Sequence, residues 1–162
     1  MTLPEYITAT RTTDLVNTVK HAALGLISEV GEVYGVLAKI ERGDSLNRQE
    51  RMTGELGDVA WYLARLCDLS APGFGLSLDM TWFASHQTRK FDAWLDSLYR
   101  EAHYALHGVL PLDVHSQMGL WATWAKLCEI EGLDPSLVLE SNLAKLRDRA
   151  ARRVLQGDGD HR

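Results

Sequence analysis

Apolar side chains recur at spacings of three and four residues along most of the chain, which is the period of an α-helix with one buried face. This pattern predicts a first long helix over about residues 14–42 and a second over about residues 48–69. A short opening helix, from Pro4 to about Arg11, precedes them. The predicted buried stripes consist of Leu15, Val19, Ala22, Leu26, Val30, Val33, Leu37 and Ile40 on the first long helix and Met52, Leu56, Val59, Leu63 and Leu66 on the second.

The same period continues in the second half of the chain. It predicts a helix over about residues 78–106, another over about 116–131, and a last one from Asp134-Pro135 to about Leu155, with the aspartate as the cap. Glycine and proline interrupt the pattern after each of the first two long helices and before the fourth. No alternating run is long enough to predict a strand. The expected fold class is therefore all-α, a helical bundle of about five helices in a single domain over residues 1–162.

Composition narrows the possible partners. The 162-residue chain has a net charge of −5, which argues against broad nucleic-acid binding. It contains neither a secretory apolar segment nor an apolar run of about 18 residues, so we expect a cytoplasmic protein without a membrane partner. Cys67 and Cys128 both lie within apolar helical patterns, and we expect buried, reduced thiols, although one disulfide between them is left open.

Two acidic pairs are the most informative polar feature. The first long helix contains Glu29-Val-Gly-Glu32, and the second contains Glu55-Leu-Gly-Asp58. Residues three apart on a helix share a face, so each pair borders its apolar stripe. Each pair also encloses a glycine, which costs about 1 kcal/mol of helix stability relative to alanine. Close approach of another helix or of a ligand would explain these glycines.

A short link, residues 43–47, should make the two helices pack antiparallel and bring the acidic pairs together. Carboxylates crowded at a half-buried seam repel one another, which raises their pKa values, and a divalent cation relieves that repulsion. Ligands that are all oxygen favour Mg²⁺, Mn²⁺ or Ca²⁺ over zinc or copper. The alternative is a set of solvated surface carboxylates. Two pairs on adjacent helices, each with a glycine and an apolar border, favour the metal site.

The two acidic motifs resemble those of the MazG-like group of all-α nucleoside triphosphate pyrophosphohydrolases, in which ExxE is followed by a spacer and ExxD. The segments that carry the resemblance are 25–33 and 55–63, with 22 residues between the motifs. A second block, the asparagine–lysine helix at 142–149 with the glycine-containing tail at 157–162, agrees with it. The resemblance covers about residues 5–69 and 120–162. Residues 70–119 have no counterpart in compact members and form an insertion, for which a lid, a dimer surface and an extra helix are all possible.

This resemblance implies a hydrolase of acid anhydrides that converts a nucleoside triphosphate and water into monophosphate and pyrophosphate, in the role of nucleotide-pool sanitation. Water attacks the α-phosphorus in such enzymes. By the same resemblance, Mg²⁺ is the expected cofactor, with Mn²⁺ possible, and the metal ligands and catalytic residues are Glu29, Glu32, Glu55 and Asp58. Either Glu29 or Glu55 is expected to act as the general base, and the sequence does not decide between them.

Residues Asn142, Lys145 and Arg149 lie at positions i, i+3 and i+7 of the last predicted helix. One face of this helix would then present an amide, an ammonium and a guanidinium, the groups suited to phosphate oxygens, and the family resemblance favours this interpretation over a solvated face. Trp61 and Tyr62 follow the second acidic motif directly. Either ring could stack on a nucleobase, but packing in the core is the favoured interpretation for both.

The histidines and the remaining aromatic residues carry two further expectations. We expect His21 to be buried and hydrogen-bonded, and His103 and His107 to be surface residues in spite of their i, i+4 spacing. Family members usually pair, so we expect a homodimer or larger assembly. A surplus of aromatic side chains for one small bundle also favours this assembly: Trp82, Phe83, Trp94, Tyr99, Trp121 and Trp124.

Three alternative functions differ from the general pyrophosphohydrolase. A di-iron carboxylate bundle needs a Glu-x-x-His motif on each of two helices, and no histidine of this chain has a glutamate three residues before it. A pyrophosphatase specific for dUTP or dCTP would use the same motifs. A helical interaction module without catalysis would retain the fold alone, and the presence of all four acidic residues with Asn142 and Lys145 argues against it.

Overall fold

The structure is a computed structural model that describes residues 1–13, 15–16, 18–71, 90–108 and 112–152. Its regular structure over these residues is entirely helical, so the predicted all-α class is confirmed. Six α-helices and one turn of 3₁₀ helix are present there: α1 (Leu3–Thr10), the 3₁₀ turn (Arg11–Thr13), α2 (Val19–Glu41), α3 (Arg48–Ser70), α4 (Phe91–His107), α5 (Val114–Ile130) and α6 (Pro135–Ala151).

Helix α2 begins later than its apolar pattern predicts, at Val19 and not near residue 14. Thr18 has an extended backbone, and its hydroxyl accepts a hydrogen bond from the backbone N–H of His21 at 3.1 Å, which is the geometry of a helix N-cap. Leu15 therefore lies outside the helix and its side chain is 48% exposed, so its predicted place in the buried stripe is wrong. Capping by Thr18 outweighs the apolar spacing here.

The other boundaries agree more closely with the pattern. Helix α3 covers the predicted range to within one residue, and α6 begins at Pro135 with Asp134 as its cap, as expected. The first part of the predicted third helix, residues 78–89, lies outside the described residues, as does the predicted end of the last helix at 153–155.

Helices α2 and α3 form an antiparallel pair, which is the central feature of the bundle. Gly25 of α2 lies against Tyr62 of α3, and Glu29 of α2 lies close to Asp58 of α3. A step of four residues forward on α2 thus corresponds to a step of four residues back on α3, as antiparallel packing requires. Side chains between these helices form the middle of the core. Those with no exposed surface include Leu26, Val30 and Val33 of α2 and Leu56, Val59 and Leu63 of α3.

Helix α4, which lies within the segment 70–119, packs against α2 and α5. Trp94, Leu95 and Leu98 are its buried face, and the hydroxyl of Tyr34 on α2 donates a hydrogen bond to Asp96 on α4. Helix α4 is therefore part of the bundle, and the role of residues 70–119 as a whole stays a prediction.

Helices α5, α6 and α1 complete the core around α3. Trp121 and Trp124 of α5 are fully buried, and the Trp124 indole N–H donates a hydrogen bond to the Leu56 carbonyl at 2.9 Å. Three of the six aromatic residues that favour an oligomer, these two and Trp94, are thus buried within one chain. Tyr99 is exposed, and Trp82 and Phe83 lie outside the described residues. Oligomerisation remains a prediction, and fewer aromatic side chains support it than the sequence indicated, because three of the six are buried within the chain.

Two smaller expectations concern the thiols and the membrane. Cys67 and Cys128 are both free and buried, and burial raises the pKa of the Cys67 thiol to about 12. Such thiols are unreactive near neutral pH. Within the described ranges, each helix is too short or too polar to cross a bilayer.

Candidate active site

Three carboxylates converge between α2 and α3. Glu29, Glu55 and Asp58 each place one carboxylate oxygen so that the three atoms lie within 4.8 Å of one another, and all three side chains are half-buried. Glu55 and Asp58 share a face of α3 because they are three residues apart. Glu29 reaches them because α2 runs antiparallel to α3 at this level. The described part of the chain has this one group of three or more residues arranged to hold a cation.

The fourth predicted carboxylate, Glu32, is not in this group. Its side chain is exposed, and its Oε2 atom lies 4.0 Å from the point where a Cβ on Gly35 would be, so the side chain extends along its own helix. Glu29 and Glu32 share one side of α2 just as Glu55 and Asp58 share one side of α3, so the exclusion of Glu32 comes from how α2 is rotated against α3 and not from the spacing. The structure thus reduces the predicted set of four carboxylates to a cluster of three with Glu32 at its edge.

The pKa values of both glutamates in the cluster are raised. Burial, followed by the charges of Asp58 and Glu55, raises the pKa of Glu29 to about 7. Burial also raises the pKa of Glu55, followed by the charges of Asp58 and Glu32. The expected effect of carboxylate crowding is therefore present in the structure, and Glu29 is half-protonated close to neutral pH.

A polar network from α6 and α1 holds Asp58. The Lys145 ammonium lies 2.5 Å from Oδ1 and 2.6 Å from Oδ2 of Asp58, and the Asn142 amide donates to the same Oδ1 at 2.9 Å. The hydroxyl of Tyr6, which is fully buried on α1, donates to Oδ1 of Asn142 at 2.8 Å. Two helices distant in sequence, α6 directly and α1 through Asn142, thus fix the position of one carboxylate on α3.

The sequence did not indicate this role for Tyr6. Its only signal is the apolar face of α1, where a buried tyrosine needs a partner for its hydroxyl. The structure also changes the expected roles of Asn142 and Lys145. Asn142 is 3% exposed and bonded at both ends of its amide, and Lys145 is paired with Asp58. Arg149 alone of the three predicted phosphate-binding residues borders the open space next to the cluster.

That open space is a cavity of about 330 Å³, within the size range of small-molecule sites. Glu29 and Asp58 form one part of its wall, and Arg149 contributes a positive charge. The remaining wall is mainly apolar and aromatic, and it consists of Thr13, Leu15, Val16, His21, Trp61, Tyr62 and Leu146. The cavity therefore places a flat, apolar surface beside a group of carboxylates.

Trp61 and Tyr62 belong to both the core and the cavity. Trp61 is 8% exposed, and its indole N–H donates to the Thr13 hydroxyl at 3.3 Å. Its ring meets the Tyr62 ring edge to face at 4.9 Å between centroids. The Tyr62 ring occupies the space above Gly25, where an added Cβ would lie 1.9 Å from a ring carbon. Core packing is confirmed for Trp61, and Gly25 makes room for the half-buried Tyr62.

The structure corrects the expectation for His21, which is exposed and borders the cavity. It lies in the first turn of α2, eight residues before Glu29, and this spacing indicates a similar side of the helix but not the exposure of the side chain. His103 and His107 are exposed, as predicted, with ring centroids 4.4 Å apart. Leu15 and Val16 were missed as cavity residues because the apolar spacing predicted that this part of the chain belongs to the first long helix, whereas both residues lie before it.

The two motif glycines have different surroundings, which leads to opposite predictions. An alanine Cβ at Gly57 would lie 3.0 Å from Cβ of Asn142, whereas nothing among the described residues lies within 4 Å at Gly31. We expect Gly31→Ala to raise the free energy of unfolding by about 0.5–1 kcal/mol, through helix propensity. Gly57→Ala should lower it, because Asn142 must move away from Asp58. Urea denaturation of both variants measures the difference, and stabilisation by Gly57→Ala would contradict this packing.

Comparison with protein-family models, with curated proteins and with solved structures gives no match for this chain. The family resemblance of the two acidic motifs therefore stays a prediction, and the functional argument rests on the geometry of the site.

Proposed function

We propose that this chain is a divalent-cation-dependent nucleoside triphosphate pyrophosphohydrolase. The observation that carries the proposal is the convergence of Glu29, Glu55 and Asp58, two of which, Glu29 and Asp58, line a cavity that also has aromatic and cationic borders. A triphosphate needs charge neutralisation next to the bond that breaks, and a base needs a flat apolar surface. The resemblance of the acidic motifs to those of the MazG-like group supports the same reaction.

The carboxylate cluster fits a hard divalent cation. Its donors are all oxygen, and Asp58 already binds a positive group, the Lys145 ammonium. Mg²⁺ usually takes one or two protein carboxylates and keeps several waters, so Glu55 and Asp58 suffice as ligands, with Mn²⁺ as a substitute. When bound there, the cation would supply neutralisation of phosphate oxygens.

With Glu55 and Asp58 as ligands, Glu29 is left for proton transfer. A general base must lie within reach of the proton that it accepts, and Glu29 borders the cavity beside both proposed ligands. In this proposal its carboxylate accepts a proton from the water that attacks the α-phosphorus, while pyrophosphate leaves. The sequence left the general base open between Glu29 and Glu55, and this proposal assigns it to Glu29.

The other cavity residues bind and orient the substrate in this proposal. Arg149 lies on the border of the cavity and contacts phosphate oxygens, for which a guanidinium is suited. The edge of Trp61 and the ring of Tyr62 pack against the nucleobase. Thr13 is already bonded to the Trp61 indole, so it helps to hold that ring in place.

The test is a substrate panel. The protein is incubated with each ribo- and deoxyribonucleoside triphosphate, including dUTP and dCTP, in Mg²⁺ and in EDTA, and the products are separated by ion exchange. We expect monophosphate and pyrophosphate in equal amounts in Mg²⁺ only. Activity confined to dUTP or dCTP would identify the specific pyrophosphatase. Release of orthophosphate and a nucleoside diphosphate, or no turnover of any nucleotide, would contradict the proposal.

A further inference from the structure

The Lys145 ammonium occupies a position close to both oxygens of a proposed metal ligand. It lies 2.5 and 2.6 Å from Oδ1 and Oδ2 of Asp58, and both side chains are about one-third exposed or less. Its influence extends over the whole cluster, because its charge opposes the rise in the pKa of both Glu29 and Glu55. Lys145 is therefore the direct counter-ion of Asp58, and its charge also acts on Glu29 and Glu55.

Two other ion pairs of the bundle connect the ends of different elements and lie away from the cluster. Arg48 forms a two-bond pair with Glu131 between the start of α3 and the end of α5, and Arg11 forms one with Asp68. Neither acidic partner belongs to the cluster. An ion pair at a carboxylate cluster differs from these, because a divalent cation that binds the same oxygens must compete with it.

We propose that Lys145 is a resident counter-ion of the metal site, that a divalent cation displaces it, and that the released ammonium then binds the phosphates of the substrate. This inference rests on the proposed function and concerns the order of events at the same site. Metal binding and phosphate binding are then coupled through one side chain, and each increases the affinity for the other.

Local geometry supports the displacement. The Asn142 amide, which is uncharged and held by Tyr6, stays bonded to Oδ1 of Asp58 and keeps the carboxylate in place after the ammonium leaves. Lys145 is one helical turn from Arg149, which borders the cavity, so a rotation of its flexible stem brings the ammonium beside the guanidinium. Two cations side by side there match the charge of a polyphosphate.

The test compares metal affinity in the absence of nucleotide. Mn²⁺ is titrated into the full chain and free Mn²⁺ is followed by electron paramagnetic resonance, for the wild type, Lys145→Met and Lys145→Arg. We expect Lys145→Met to bind Mn²⁺ about tenfold more tightly than the wild type, because a charged hydrogen bond no longer competes. Lys145→Arg keeps the positive charge and should show no such gain.

Lys126→Met is the matched control. Lys126 pairs with Glu129 on its own helix, at 2.9 Å, so the variant removes one positive charge without a contact to the cluster. Its Mn²⁺ affinity should equal that of the wild type. A second titration uses inorganic pyrophosphate at saturating Mn²⁺, where Lys145→Met should bind pyrophosphate about tenfold more weakly than the wild type.

The outcomes separate the inference from the proposed function. Equal or weaker Mn²⁺ binding by Lys145→Met, with the wild type binding Mn²⁺, overturns the counter-ion inference and leaves the pyrophosphohydrolase proposal intact. No Mn²⁺ binding by any variant overturns both. Tighter Mn²⁺ binding together with weaker pyrophosphate binding supports the inference. Circular dichroism confirms that each variant is folded before titration, and Lys145→Gln replaces Lys145→Met if the latter is not.

Discussion

Asp58→Asn should abolish pyrophosphate release in Mg²⁺, with a loss of roughly a thousandfold or more in kcat. The substitution removes a negative charge from a proposed metal ligand, at the position where the metal would contact the phosphates. Asp58 is the carboxylate with the most contacts in the site. It accepts hydrogen bonds from both Asn142 and Lys145 and lies within 4.8 Å of the carboxylate oxygens of Glu29 and Glu55. An asparagine there has the same shape, so the protein should fold, but it leaves the Lys145 ammonium without an anion. Turnover and Mn²⁺ affinity are measured on the same preparation.

The control for Asp58→Asn is Glu50→Gln, which makes the same chemical change in the exposed first turn of the same helix. It should keep wild-type turnover. Glu32→Gln gives an intermediate case. The sequence predicts a complete loss for this variant, whereas its exposed position outside the cluster leads us to expect a smaller one. Turnover of Asp58→Asn within tenfold of the wild type would contradict the assignment of Asp58 as a metal ligand.

In the absence of metal, the free energy of unfolding should fall as the pH rises from about 4.5 to about 7. The first value is the ordinary pKa of Glu29, and the second is its raised pKa in the folded protein. In the unfolded chain Glu29 loses its proton near the ordinary value of 4.5, but in the folded protein it keeps the proton to about 7. Between these values the folded state binds more protons, so a rise in pH favours unfolding. A shift of this size corresponds to roughly 3 kcal/mol. The raised pKa of Glu55 acts in the same direction.

This dependence is measured by urea denaturation in EDTA at several pH values, for the wild type and Glu29→Gln. An uncharged glutamine cannot titrate, so the variant should be more stable than the wild type at pH 8 and show a flatter dependence. Both proteins contain the same histidines, so the difference between their pH curves does not include the contribution of the histidines to the free energy of unfolding. Addition of Mg²⁺ at pH 8 should restore stability to the wild type, because the ion binds the folded state alone. Parallel pH curves for the two proteins would contradict the raised pKa.

Local sequence signals predicted most of the helices correctly. The period of apolar residues defines α3 almost completely, and Asp134-Pro135 marks the start of α6. Such signals work because capping and helical periodicity depend on residues within one or two turns. Thr18 shows their limit: the hydroxyl that caps α2 excludes Leu15 from the helix, although its apolar spacing suits the stripe.

The site was predicted in part. Glu55 and Asp58 lie three apart on one helix, so their shared face follows from the helix alone. The approach of Glu29 to them depends in addition on the antiparallel pairing that the short link indicates. The separation of Glu32 from the group, the exposed position of His21 and the bond from Tyr6 to Asn142 do not follow from local spacing.

The amino-acid sequence alone was enough to establish the helical class, the helices that carry the carboxylates and the presence of acidic pairs on their faces, because all of these depend on the period of a single helix. The tertiary structure decided which carboxylates lie close together, which ammonium pairs with Asp58 and which residues border the cavity. Those contacts depend on the rotation and offset of packed helices, which the side chains of the whole core set together. Lys145 is the clearest example: it was predicted to contact phosphate, and the packing of α6 against α3 places its ammonium on Asp58.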